Sequence, residues 1–153
     1  MEYATVVKGP MYVMGVSTKV STEVEDSKKQ VDQLWSQFFA EDIYNKIPSK
    51  ANNNIVVIYF GYEGETKTTF QYLLGCEVST STPIPAGMTF KEIPASTYAQ
   101  FSVKGKFPEA LKDTWESISK SVLKRLYSGD IEIYATENGR PTYKDVIILV
   151  SIE

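Results

Sequence analysis

Gly129-Asp130-Ile131-Glu132-Ile133-Tyr134 alternates apolar and polar residues with the two-residue period of a β-strand. Successive side chains of an extended chain point to opposite faces, so Ile131 and Ile133 share one face and Asp130, Glu132 and Tyr134 share the other. With the isoleucines turned to a core, a carboxylate and a phenol stand side by side on the opposite surface. If that surface is a concave apolar pocket, Glu132 becomes an acidic countercharge for a cationic ligand. The elements on either side decide whether such a pocket exists.

Upstream, Pro108 suits a helix start, and Leu111, Trp115, Ile118, Val122 and Leu126 form one apolar stripe at helical spacing. Lys124 and Arg125 favour the negative end of that helix, and Gly129 suits its C-terminal cap. Met88 to Ile93 and Thr97 to Lys104 read as strands around Pro94-Ala95-Ser96, and Val146 to Ile152 as the last strand. The N-terminal half has the same order. Residues 3–8 and 11–21 flank the turn Gly9-Pro10 as a hairpin signature. Ser27 with Gln30 resembles a capping box, opening a helix whose stripe is Val31, Leu34, Trp35 and Phe38. Ile55 to Tyr62 and Phe70 to Val78 then read as strands about the turn Gly64-Glu65-Thr66-Lys67.

The linker Ser79 to Gly87 separates the halves, and laying one over the other pairs Trp35 with Trp115 and Ile58-Tyr59 with Ile133-Tyr134. The expected fold is therefore α+β, a duplicated ββαββ unit (pseudo-repeats 1–80 and 86–153) in a single domain. One antiparallel sheet carries both helices. Ile55 to Tyr62 is apolar on both parities, with Ile55, Val57 and Tyr59 on one and Val56, Ile58, Phe60 and Tyr62 on the other. A strand of that kind is covered twice or lines a cleft, so an aromatic-lined central groove between the halves is expected.

Composition narrows the chemistry. The 153 residues hold ten Tyr, seven Phe and two Trp, a supply of flat rings with polar tips that suits a binding surface. There is no histidine, which excludes Ser-His-Asp catalysis and His-ligated zinc. The single cysteine, Cys76, forms neither an internal disulfide nor a multi-thiolate metal site, and its apolar context predicts a buried structural thiol. No metal or cofactor is expected, and the glycines lack a phosphate-binding spacing. A net charge of −3 gives no footprint for nucleic acid or an anionic membrane. The start lacks a basic region followed by an apolar stretch, and no run approaches a membrane span, so a cytoplasmic location is expected.

Several stretches together resemble the GyrI-like effector-binding family. They are Ile93 to Gly105, then Pro108 and Trp115-Glu116-Ser117-Ile118, then Asp130 to Tyr134. In the first half they are Leu34 to Phe39, Tyr59 to Glu63, Tyr72 to Val78 and Pro85-Ala86-Gly87-Met88. The resemblance covers nearly the whole chain in the family's order and spacing. It implies an SHS2-like duplicated sheet with a central groove that takes bulky, aromatic or cationic small molecules. Many members are the sensor half of a transcription regulator with a DNA-binding helix-turn-helix, for which this chain has no room; it resembles the stand-alone branch. Stand-alone relatives include a DNA gyrase inhibitor and hydrolases of cyclopropane-bearing toxins.

The family's groove glutamate matches Glu132, and its aromatic lining is carried over to Tyr62, Tyr72, Phe101, Trp115 and Tyr134. Glu132 would pair with a ligand cation, helped by neighbouring rings, for sensing, sequestration or detoxification. In a hydrolase it would be the general base; as a protein-interaction module the chain would rely on its acidic surface instead. Trp35 and Trp115 sit on core stripes, and core is the default for both. Tyr72 shares its strand face with Leu74, as core or groove lining. Glu63, Lys67 and Arg140 read as solvated loop charges.

Overall fold

The computed structural model describes residues 2–23 and 26–153. In chain order the elements are β1 (Ala4–Lys8), β2 (Met11–Ser21), α1 (Ser27–Ala40), α2 (Ile43–Lys46), β3 (Ile55–Glu63) and β4 (Thr69–Glu77). After the linker come β5 (Thr89–Ile93), β6 (Ser96–Ser102), α3 (Glu109–Ser119), β7 (Asp130–Tyr134), the short ribbon β8 (Thr136–Glu137) and β9 (Arg140–Pro141), and β10 (Ile147–Ile152). Eight strands form one sheet in the order β1-β6-β10-β7-β3-β4-β2-β5. Every ladder in it is antiparallel. The fold is α+β, as the sequence predicts.

The strand order is symmetric from end to end. Three strands of the first half, β2-β4-β3, meet three of the second, β7-β10-β6, at the β3–β7 seam. The initial strand of each half lies on the edge of the other half: β1 pairs with β6, and β5 pairs with β2. The expected hairpins across Gly9-Pro10 and Pro94-Ala95 are therefore not formed. Residues 3–8 and 11–21 are strands, but they sit at distant positions in the sheet order. Because only two residues join β1 to β2 and β5 to β6, the two ends of the sheet lie near each other and the sheet curls.

Curling explains how both faces are buried. Cross-strand neighbours share a face, and the registers link Val16, Leu74, Val57, Glu132, Ile148 and Phe101 in one row. This row faces the helices: Leu34 and Phe38 of α1 pack in one core with Val16, Val57 and Leu74, and Ile118 of α3 packs with Phe101 and Ile148. Both tryptophan helices lie on the same side. The opposite face, with Val13, Ile58, Leu73, Ile93, Tyr98, Ile131 and Leu149, forms a second core enclosed by the sheet itself rather than by a helix. A fully buried side chain such as Ile58 or Leu73 gains about 1.5–3 kcal/mol from leaving water, so both faces contribute to stability.

Two local expectations are corrected. No side-chain cap closes the start of α1; Gln30 instead donates its Nε2 to the carbonyl of Lys19, tying the helix to β2. Helix α3 ends at Ser119, so Val122, which is 99% exposed, and Leu126 do not extend its stripe. Ser119 and Ser121 donate their hydroxyls to the carbonyls of Glu116 and Ile118, local bonds that compete with helical continuation. The chain then runs alongside β10, Leu126 N donating to Ser151 O, and Gly129 (φ 151°) serves the entry to β7 rather than a helix cap.

Candidate functional site

Strand β7 places Glu132 at the centre of the helix-facing side of the sheet. Its neighbours there are Val57 on β3 and Ile148 on β10. The carboxylate is 0% exposed and accepts three hydrogen bonds. Tyr134 Oη donates to Oε1 at 2.6 Å, and Tyr59 Oη and Trp115 Nε1 donate to Oε2 at 2.5 and 2.7 Å. Tyr134 comes from the same strand two residues on, Tyr59 from the neighbouring strand, and Trp115 from α3. No lysine or arginine among the described residues forms an ion pair with it.

Above Glu132 opens a cavity of about 1180 Å³ between α1 and α3. Its walls include Trp35, Val31 and Phe39 from α1, Leu111 and Trp115 from α3, Tyr59, Phe70 and Tyr72 from the sheet, and Phe107, Tyr134 and Tyr143. Charges in its lining other than Glu132 are Lys28, Asp32, Lys112 and Glu116, all on exposed helix positions, and Lys28 and Asp32 pair with each other at 3.1 Å. Glu132 belongs to the lining yet has no solvent-accessible surface. Its three donors, Tyr59, Trp115 and Tyr134, line the same cavity, and Tyr59 packs on Trp115 with centroids 5.2 Å apart and on Tyr72 at 5.3 Å. The floor is thus an aromatic surface with a buried carboxyl group among its rings.

Burial pushes the Glu132 carboxyl above its usual range, and the bonds from Tyr134, Tyr59 and Trp115 pull it partly back. The same burial, followed by the charge of Glu132, holds the phenols of Tyr59 and Tyr134 well above theirs, so both stay protonated donors. Tyr72, raised first by burial, accepts a bond from Trp35 Nε1 at 2.8 Å. Cys76 lies in the core, its thiol pushed up to about 12 by burial, in keeping with a structural role.

Of the sequence candidates, Glu132, Tyr134, Tyr72 and Trp115 converge on the cavity. Phe101 does not line it; it is 2% exposed in the core beneath α3. Tyr62 is elsewhere too. A register shift between Phe60 and Glu63, with Gly61 at φ 63°, breaks the alternation of β3 and turns Tyr62 toward Asp130, to which it donates at 2.6 Å. Asp130 also accepts from Arg125 Nη2 at 2.7 Å and from the backbone of Ser151 at 2.9 Å, so a second buried carboxylate is compensated where Glu132 is not.

Three participants escaped the sequence reading: Tyr59, Trp35 and the Arg125–Asp130 pair. The signal for Tyr59 was present. Pairing Ile58-Tyr59 with Ile133-Tyr134 makes Tyr59 the counterpart of Tyr134, and the two phenols do take the two oxygens of one carboxylate. A shift of 75 residues carries Ile55, Val57 and Tyr59 onto Asp130, Glu132 and Tyr134, and the seam pairs Ile55 with Tyr134, Val57 with Glu132 and Tyr59 with Asp130. The register is therefore symmetric about the Val57–Glu132 pair.

Comparison with known proteins adds the following. The family model described as Cass2, integron-associated effector binding protein, matches residues 6–152. YobU of Bacillus subtilis (strain 168), named as a candidate transcriptional regulator, is 27% identical over 145 residues, 91% of this chain and 90% of its own. The structure of SAV2435 bound to tetraphenylphosphonium matches with a TM-score of 0.77 at 13% identity, over 100% of this chain and 94% of that one. An integron cassette protein from the mobile metagenome of Vibrio cholerae, VCH_CASS2, matches with a TM-score of 0.77 at 18% identity, over 99% and 95%. At such identities the structural likeness concerns the fold.

Proposed function

We propose, from the premise that this chain belongs to the Cass2 family of integron-associated effector-binding proteins, that its effector is a bulky aromatic or hydrophobic organic cation. The single observation that carries this reading is Glu132: a buried carboxylate with no cationic partner among the described residues, set among the rings that line a large cavity. Burying a charge without a countercharge is costly, and a cation over the rings of Tyr59 and Trp115 supplies one. The electrostatic attraction acts in an aromatic, largely apolar surrounding, where the low dielectric keeps it strong. Bulk is set by the cavity, of a size that takes a ligand the scale of tetraphenylphosphonium, the molecule in the SAV2435 structure.

The geometry supports a binding role for Glu132 more than a general base. Both oxygens already accept hydrogen bonds and neither reaches solvent, whereas a base needs a lone pair within reach of the proton it removes. Membership of an effector-binding family and likeness to a regulator-named relative support sensing as the use of that binding.

Trp35 and Trp115 both line the cavity, so a bound ligand alters their emission directly. Titration with tetraphenylphosphonium is expected to give saturable quenching. Glu132→Gln, which keeps the shape and removes the charge, is expected to weaken it by about tenfold or more, the equivalent of roughly 1.4 kcal/mol. Equal affinity in both proteins would remove Glu132 from the site; no binding by the wild type would overturn the cationic reading.

A further inference from the structure

The groove does not end at its aromatic floor. A second cavity of about 380 Å³ adjoins it, and Thr22, Phe70 and Ser119 belong to the walls of both. Its chemistry is reversed. The charged residues lining this annexe are Lys67 and Arg125, with the hydroxyls of Thr66, Thr68 and Ser121, and no carboxylate among the described residues lines it.

Trp115 joins the two ends. Its indole N–H donates to Glu132 at 2.7 Å, while its ring centroid lies 5.9 Å from the guanidinium carbon of Arg125. Phe70, with its ring on Tyr59 at 5.3 Å and on Tyr62 at 5.6 Å, continues the same aromatic wall from one cavity to the other. One apolar surface thus runs from a buried negative charge to a pair of positive ones.

Those cations are incompletely compensated. Arg125 and Lys67 lie over the same ring, Tyr127, at 4.4 and 5.8 Å from its centroid. Asp130 meets Arg125 through a single nitrogen, and Lys67 has no ion-pair partner among the described residues. The Nε–H of Arg125 is buried with no acceptor there. A guanidinium presents five donors in a planar fork, matched to a carboxylate or another planar anion. Two cations sharing one ring, one of them with an idle buried donor, are favoured by an anion between them.

We infer that the effector of this protein is bipolar: its cationic aromatic body lies over Glu132, and an anionic arm, such as a carboxylate, reaches Arg125 and Lys67 in the annexe. This rests on the groove reading above and adds to it the second charge.

The test uses matched probes that share one cation: carboxyalkyl-triphenylphosphonium ions of increasing chain length and their methyl esters, titrated by tryptophan quenching on the full chain. At the chain length that spans the two cavities the acid is expected to bind about tenfold more tightly than its ester, the worth of one charge-assisted contact. Lys67→Gln, at an exposed turn position, is expected to lower the acid-to-ester affinity ratio toward one. Glu132→Gln is expected to weaken acid and ester alike and keep their ratio. Equal binding of acid and ester at every length, with the ester saturable, overturns the annexe and leaves the cation site standing. Failure of both probes to bind overturns the two readings together.

Discussion

Glu132 is ionisable, buried and tied to three donors, and its response to pH follows from those facts. Its folded pKa lies above the ordinary 4.5, so the folded protein holds the proton more tightly than the unfolded chain does. The unfolded chain therefore releases its proton first as pH rises, and stability falls between the unfolded and the folded pKa. In denaturant titrations run upward from about pH 4, the wild type is expected to lose stability relative to Glu132→Gln as pH rises through the carboxyl's raised range. A difference that stays constant with pH would show that the carboxyl is not shifted. The cation affinity proposed above is expected to run the opposite way, strengthening as the carboxylate ionises. At this scale the sequence was informative where alternation alone decides the outcome, as for Glu132 beside Tyr134. The family resemblance put Tyr62 in the groove lining and alternation set it opposite Tyr59; the bulge at Gly61, whose positive φ strand periodicity does not register, turns it to Asp130 instead. The sequence left Trp35 in the core because a helical stripe does not distinguish a residue packed on neighbours from one facing a void.

Among the elements, α3 and the segment after it show how a helical stripe yields to the polar bonds made around it. Val122 and Leu126 keep the spacing of the stripe, but Arg125 is held by Asp130, whose side chain is 0% exposed against 15% for the arginine. Removing one member of such a pair leaves a charge buried alone. Arg125→Met is expected to destabilise the protein by about 3–5 kcal/mol, and Arg125→Met with Asp130→Asn by less, since both charges are then gone. Denaturant midpoints of the two variants decide this; a double variant as unstable as the single one would contradict it. The β1–β2 and β5–β6 pairs carry a similar lesson. Val-, Thr- and Tyr-rich runs identify strands, and a short turn suggests that they pair, but the edge each one joins is set by the whole sheet.

At the scale of the whole molecule, each half completes the other. Strand β1 lies on the edge of β6 and β5 on the edge of β2, so neither residues 1–80 nor residues 86–153 hold their own edge strand. Separate fragments are expected to show little native circular dichroism alone and to recover it on mixing, and the intact chain to unfold in one transition. A folded fragment 1–80 would refute this. Symmetry of the seam has one more consequence, concerning the shape of what binds. Tyr59 and Tyr134 straddle the centre, Trp35 and Trp115 stand to either side, and at the centre itself Glu132 faces Val57, one charge where a perfect repeat would have two or none. On the cationic reading proposed above, such a cradle favours a molecule with its positive charge in the middle and aromatic wings spread on both sides, rather than one with the charge at the tip of a tail.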